Sequence, residues 1–150
     1  MPAFVEATVT ANAPKEAVWK VLADFPNIAN YTDTVRSSHS TSENHFEIGA
    51  TRHCELAPAG SADETITDIK QGESIVISVS GAGGGPIKES TTTFSISGID
   101  AKRSRLTMSA EIQPKGGIFT GIISKILERR LPKRAQTVVT DLATSAEKFA

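Results

Sequence analysis

The chain opens on a period of two. Val5, Ala7 and Val9 are apolar while Glu6, Thr8 and Thr10 are polar, the pattern of a half-buried strand. Asn12-Ala13-Pro14 stops it. Asn12 suits a helix cap and Pro14 a first helical turn, where its missing N–H is no loss. Val18, Val21 and Leu22 then recur at helical spacing beside Trp19. Asp24-Phe25-Pro26 breaks that helix, and Asp24 is placed to cap a second short one through about Asn30. Between 33 and 113 the period of two returns repeatedly. Strands are expected over Thr34 to Ser40, Ala50 to Leu56, Asp63 to Ile69, Ile75 to Ser80, Lys88 to Ile96 and Leu106 to Gln113. Their connections are too short for parallel crossovers, so the sheet is expected to be antiparallel. After Pro114-Lys115-Gly116-Gly117 the period becomes helical, from Ile122, Ile123 and Ile126 through Val138 and Leu142 to Phe149. A helix of about 30 residues would be on the order of 45 Å long. Pro132 inside it is expected to kink or split it.

This order predicts an α+β fold, a curved antiparallel sheet of about seven strands with the long C-terminal helix across one face. The inward positions mix small residues (Ala7, Cys54, Thr92, Ala110) with large ones (Leu56, Ile77, Phe94, Met108), and aromatic residues make up only 5% of the chain. Scarce bulky fillers point to a space between sheet and helix. Its expected walls are Cys54, Leu56, Ile66, Ile77, Phe94, Met108 and Ala110 on the sheet. Ile122, Ile123, Ile126 and Val138 would close the helix side.

Composition narrows the classes. A length of 150 residues fits one domain over 1–150. No run of about 18 apolar residues offers a membrane span, and the N-terminus carries no visible secretory signal. Sixteen Lys+Arg against seventeen Asp+Glu give a net charge of −1, without the basic excess of a nucleic-acid binder. The single cysteine, Cys54, excludes an internal disulfide and a cysteine-based zinc site. A reduced, cytoplasmic protein without metal or cofactor is expected. Neither ligand identity nor oligomeric state follows from the sequence.

Four local motifs in order carry a resemblance. Ala13-Pro14-Lys15-Glu16-Ala17-Val18-Trp19-Lys20-Val21-Leu22 followed by Asp24-Phe25 is similar to an opening with Val-Trp and Asp-Phe. Gly49-Ala50-Thr51-Arg52 is similar to a Gly-x-x-Arg, Glu64-Thr65-Ile66 to a Glu-x-(Leu/Ile), and Pro114-Lys115-Gly116-Gly117 to a Pro-x-Gly-Gly exit. Over the whole chain these resemble the helix-grip family, also called the START-like or SRPBCC (Bet v 1-like) superfamily, with its bacterial polyketide cyclase/dehydrase and lipid-transport group. The resemblance implies a hydrophobic cavity between sheet and helix, used for lipids, polyketides or similar molecules, for cyclisation or dehydration chemistry, or only as a binding subunit. It also implies a gating loop at Ala57–Ala62, with Gly83–Ile87 beside it. The gate and latch sequences of the plant hormone receptors are not reproduced.

Candidate chemistry centres on Arg52 and Glu64. A hairpin around Pro58-Ala59-Gly60 would set Cys54 roughly opposite Glu64 and Arg52 on the diagonal, a polar spot in an apolar cavity. Asp68, two steps along the same strand face, is the second candidate acid. His39, His45 and His53 lack metal spacing. His53 faces away from Cys54, which leaves Cys54 without a base and reads as a small buried hydrophobe. Gly81–Pro86 leads into a strand, so it is no phosphate loop. Lys125, Arg129, Arg130, Lys133 and Arg134 read as a solvated basic helix face. Trp19 reads as a packing anchor, and Tyr31 could place a hydroxyl at the cavity end. The expected function is reversible binding of a small hydrophobic molecule. The alternatives are a cyclase or dehydratase using Glu64 or Asp68, and an interaction subunit with a collapsed cavity.

Overall fold

The structure is a computed structural model that describes residues 3–82, 87–114 and 120–149, with backbone alone for 3, 82, 87–88, 114 and 120–128. The elements run β1 (Ala3–Ala11), α1 (Lys15–Ala23), a 3-10 helix (Phe25–Asn30), β2 (Val35–Ser40), β3 (Thr51–Leu56), β4 (Ser61–Lys70), β5 (Ser74–Ala82), β6 (Ile87–Gly98), β7 (Ser104–Pro114) and α2 (Thr120–Glu147). The seven strands form one sheet in the order β1-β7-β6-β5-β4-β3-β2. Every neighbouring pair is antiparallel. β2 to β7 is therefore a meander, and β1 joins it beside β7.

The alternation seen in the sequence sets the faces. Val5 pairs with Ala110, Ala7 with Met108 and Val9 with Leu106, all turned toward the helix side. α2 packs chiefly along β1, with β7 and α1 as its other main neighbours. Ala7, Ala11, Ala135, Ala143 and Ala146 are buried in this region, and their short side chains let helix and strand approach closely. Val139 and Leu142 are fully buried there. Each such side chain contributes about 1.5–3 kcal/mol relative to exposure. The buried stripe ends at Ala146. Phe149 lies beyond the helix and is exposed, with the Lys20 ammonium over its ring.

Several local expectations are corrected. Asn12 does not cap α1. Pro14 occupies the N-cap position, and its carbonyl accepts from the N–H groups of Ala17 and Val18. The second short helix is a 3-10 helix. Asp24 occupies its N-cap position and its carbonyl accepts from the Asn27 N–H at 3.1 Å, but its carboxylate makes no capping bond and accepts from the side chains of Asn27 and Tyr31. Pro132 does not split α2, which continues through it over 28 residues. The flanking Leu131, Ala135, Val138 and Val139 pack on the core, and that packing outweighs the lost backbone bond.

Two features of β4 matter for the site, its register against β3 and a bulge at Thr67. Arg52 stands directly opposite Glu64, and Cys54 opposite Ala62 rather than Glu64. The Leu56 N–H bonds the Gly60 carbonyl at 2.8 Å, and Gly60 takes a φ of 97° open to glycine, which centres the turn on Pro58. The offset is an even number of residues, so every side chain keeps its expected face. The second feature is the bulge at Thr67. Ile66 pairs with Ile77, but Asp68 already pairs with Val76. The bulge reverses the alternation: Ile69 turns to the core and Asp68 is exposed.

Candidate functional site

Between the sheet and α2 lies a cavity of ≈ 180 Å³. Its sheet wall is mainly apolar, formed by Val5, Ile77, Val79, Phe94, Met108 and Ala110, with Ser90 and Thr92 of β6 among them. Leu131, Ala135 and Val138 close it from α2, and Ile28 from the 3-10 helix. α2 leans on β1 and β7, so the middle strands curve away from it and the space stays open.

Further polar groups enter this space from β3 and β4, from α2 and from the segment before β2. Arg52 projects from β3 and is 6% exposed. Its Nε donates to Glu64 Oε1 at 2.8 Å, and Nη2 donates to the same oxygen. Its Nη1 donates to the Phe25 carbonyl at 2.7 Å, and the guanidinium lies 4.0 Å from the centre of the Phe25 ring. Five donors in a planar fork let one residue bond a carboxylate and a carbonyl while stacking on an aromatic face. Arg134 projects from α2. Its Nη1 donates to the Ala57 carbonyl and its Nη2 to the Thr34 carbonyl, each at 2.8 Å. Burial pulls the Arg134 pKa below its ordinary value, and the Glu64 carboxylate opposes that shift. Thr32 and Thr34 complete the cluster. Thr32 donates to Asp141 at 2.8 Å, which leaves Thr34 to donate to Thr32.

Of the residues expected at the cavity, Arg52, Leu56, Glu64, Ile77, Phe94, Met108 and Ala110 line it, and so does Val138. Cys54 and Ile66 do not; both are fully buried in the close-packed core. Cys54 follows Arg52 on the same buried face of β3. Its thiol is pushed up to about 12, first by burial and then by the Glu64 carboxylate, which favours the protonated form. The side chains of Ile122, Ile123 and Ile126 lie outside the described residues, as does most of the Gly83–Ile87 segment. Asp68 is turned away by the bulge, so Glu64 is the only one of the two candidate acids at the cavity.

Tyr31 does not offer its hydroxyl to the cavity. It bonds Asp24, and its pKa is raised to about 12 by burial and then by that bond. Trp19 is a packing anchor whose ring meets Phe46 edge-on at 5.7 Å. His53 sits on the outer face. Its Nδ1 contacts Asp63 at 2.7 Å and its Nε2 contacts Glu55 at 2.8 Å. These bonds, Asp63's first, raise its pKa. Among the described residues, no three His, Cys, Asp or Glu gather in a way that could hold a metal ion. None of the described helices is long and apolar enough to cross a membrane.

Arg134 is the residue the sequence reading misplaced, as one member of a solvated basic run. The signal was in the spacing. Position 134 falls three after Leu131 and four before Val138, so it shares their inward face. Arg129, Arg130 and Lys133 are exposed.

The sequence matches the family described as "Polyketide cyclase / dehydrase and lipid transport" over residues 2–147. The chain belongs to that family. Three solved structures have the same architecture. The Zhui aromatase/cyclase from Streptomyces sp. R1128 is 17% identical, with 99% of this chain and 95% of that one covered and a TM-score of 0.81. A protein from Thermobifida fusca is 15% identical, with 97% and 93% covered and a TM-score of 0.78. A START superfamily protein from Mycobacterium smegmatis is 12% identical, with 98% and 99% covered and a TM-score of 0.74. At these identities the likeness is one of fold. Among curated proteins, no sequence matches the chain.

Proposed function

We propose that this protein reversibly binds a small hydrophobic molecule, a lipid, polyketide or similar compound, in the cavity between the sheet and α2. The observation that carries the reading is a space of ≈ 180 Å³ whose described lining is mainly apolar, with Arg52, Glu64 and Arg134 as its charged side chains and a few hydroxyl groups beside them. Apolar walls supply affinity and a few fixed polar groups supply orientation. A cavity of about 150 Å³ accepts benzene, so this one suits a compact body of one or two rings or a short chain. Family membership supports the same reading in its coarser form, ligand binding or cyclase chemistry.

The test uses 2-naphthalenemethanol titrated into the protein and followed by methyl NMR. Saturable shifts are expected at Ile77, Met108, Leu131 and Val138. Ala110→Phe, which fills the cavity from β7, is expected to abolish them while the protein still unfolds cooperatively. Equal binding by the native protein and the filled variant would place the probe elsewhere and overturn the reading.

A further inference from the structure

The charged residues at the cavity wall do not balance. Among the described residues lining it, two are cationic, Arg52 and Arg134, and one is anionic, Glu64. Glu64 is committed to Arg52, whose Nε and Nη2 both bond its Oε1. Arg134 has no carboxylate of its own. Its hydrogen bonds go to the backbone carbonyls of Ala57 and Thr34, which take one N–H from each terminal nitrogen but do not neutralise its charge. Among the described side chains of α2, the acid nearest to Arg134 in sequence is Asp141, which is outside the lining and accepts from Thr32. Among the described residues, this half-buried guanidinium bonds only carbonyls and shares the Glu64 charge with Arg52, so it is electrostatically incomplete.

We infer that the ligand carries an anionic end, a carboxylate or a group of like charge and size, which sits against Arg134 while its apolar body fills the space toward Phe94 and Met108. This rests on the cavity-binding reading above and adds the ligand's charge to it. Arginine suits the role because its planar fork matches a carboxylate and keeps its charge when partly desolvated. The flanking Thr34 and Thr32 hydroxyls add neutral polar groups near the same end of the cavity.

The experiment compares three probes with one body at neutral pH by calorimetry: 2-naphthoate, 2-naphthalenemethanol and 2-naphthylmethylammonium. A charge-assisted contact predicts that naphthoate binds about 10- to 100-fold tighter than the alcohol, with the ammonium weakest. Arg134→Gln is expected to bring the naphthoate-to-alcohol ratio near unity, and Arg134→Lys to keep a clear preference for the anion. Equal affinities of native protein for acid and alcohol would overturn the anionic end and leave the cavity reading standing. A ratio unchanged in Arg134→Gln would overturn the assignment to Arg134. Failure of all three probes to bind would bring down the cavity reading itself. The native-protein ratio decides the question even if a variant does not fold.

Discussion

Arg52→Met should be among the most damaging single changes in the protein. It removes one half of a buried ion pair and leaves Glu64, whose side chain is only 13% exposed, without the partner that bonds it twice. It also strips the Phe25 carbonyl of a 2.7 Å donor and uncovers the Phe25 ring. Removing one partner of a buried pair costs about 3–5 kcal/mol. Loss of the stacked cation adds about 0.5–2 kcal/mol, part of which methionine's own packing returns. Water entering the cavity and the charge of Arg134 soften the isolation of Glu64, so a net loss of about 4 kcal/mol is expected. At about 2–4 °C per kcal/mol for a chain of this size, the melting temperature should fall by about 8–16 °C. Urea unfolding with Arg52→Met, Glu64→Leu and the double variant measures the pair directly. The double variant should be more stable than Arg52→Met, with a coupling of about 2–3 kcal/mol, because two apolar groups tolerate each other where a lone charge does not. A loss under about 1 kcal/mol for Arg52→Met, or strictly additive effects, would refute the claim that the pair is a buried, interdependent unit.

Leu142→Ala empties a fully buried position between α2 and the sheet and should cost about 2–5 kcal/mol in chemical denaturation, where a loss below about 1 would contradict the packing described. Cys54 should resist Ellman's reagent in the folded protein and react only as denaturant unfolds it; fast reaction under native conditions would show that the thiol is not held neutral and buried. His53 gains two carboxylate partners on folding, and its folded-state pKa is raised above its ordinary value of about 6.5. Its contribution to stability is therefore complete below that value and is lost as pH rises through the higher folded-state one. Unfolding titrations across that window should lose their pH dependence in His53→Gln, and an NMR pKa below the ordinary value would reverse the argument.

Much of this molecule was legible in the linear chain because it rests on periodicity. Alternation in Phe4–Thr10 or Leu106–Gln113 sets which face of a strand is buried whatever its neighbour, and the spacing of Val138, Val139 and Leu142 does the same for α2. The antiparallel sheet, the closing helix and most of the apolar cavity wall follow from those local patterns. Arg52 and Glu64 share the inward face for the same reason, and a register error by an even number of residues could not separate them.

What the chain alone could not decide depends on insertions and on groups distant in sequence. A single extra residue at Thr67 reverses strand parity, and nothing in Ile66-Thr67-Asp68 marks it, so Asp68 left the site only in three dimensions. The spacing from Leu131 and Val138 puts Arg134 on the inward face of α2, but its partners, the Ala57 and Thr34 carbonyls, are far away in the chain and only the fold brings them within reach. The cavity itself is a volume, set by how far α2 stands off the middle strands while leaning on β1, and no local pattern encodes a distance between two layers.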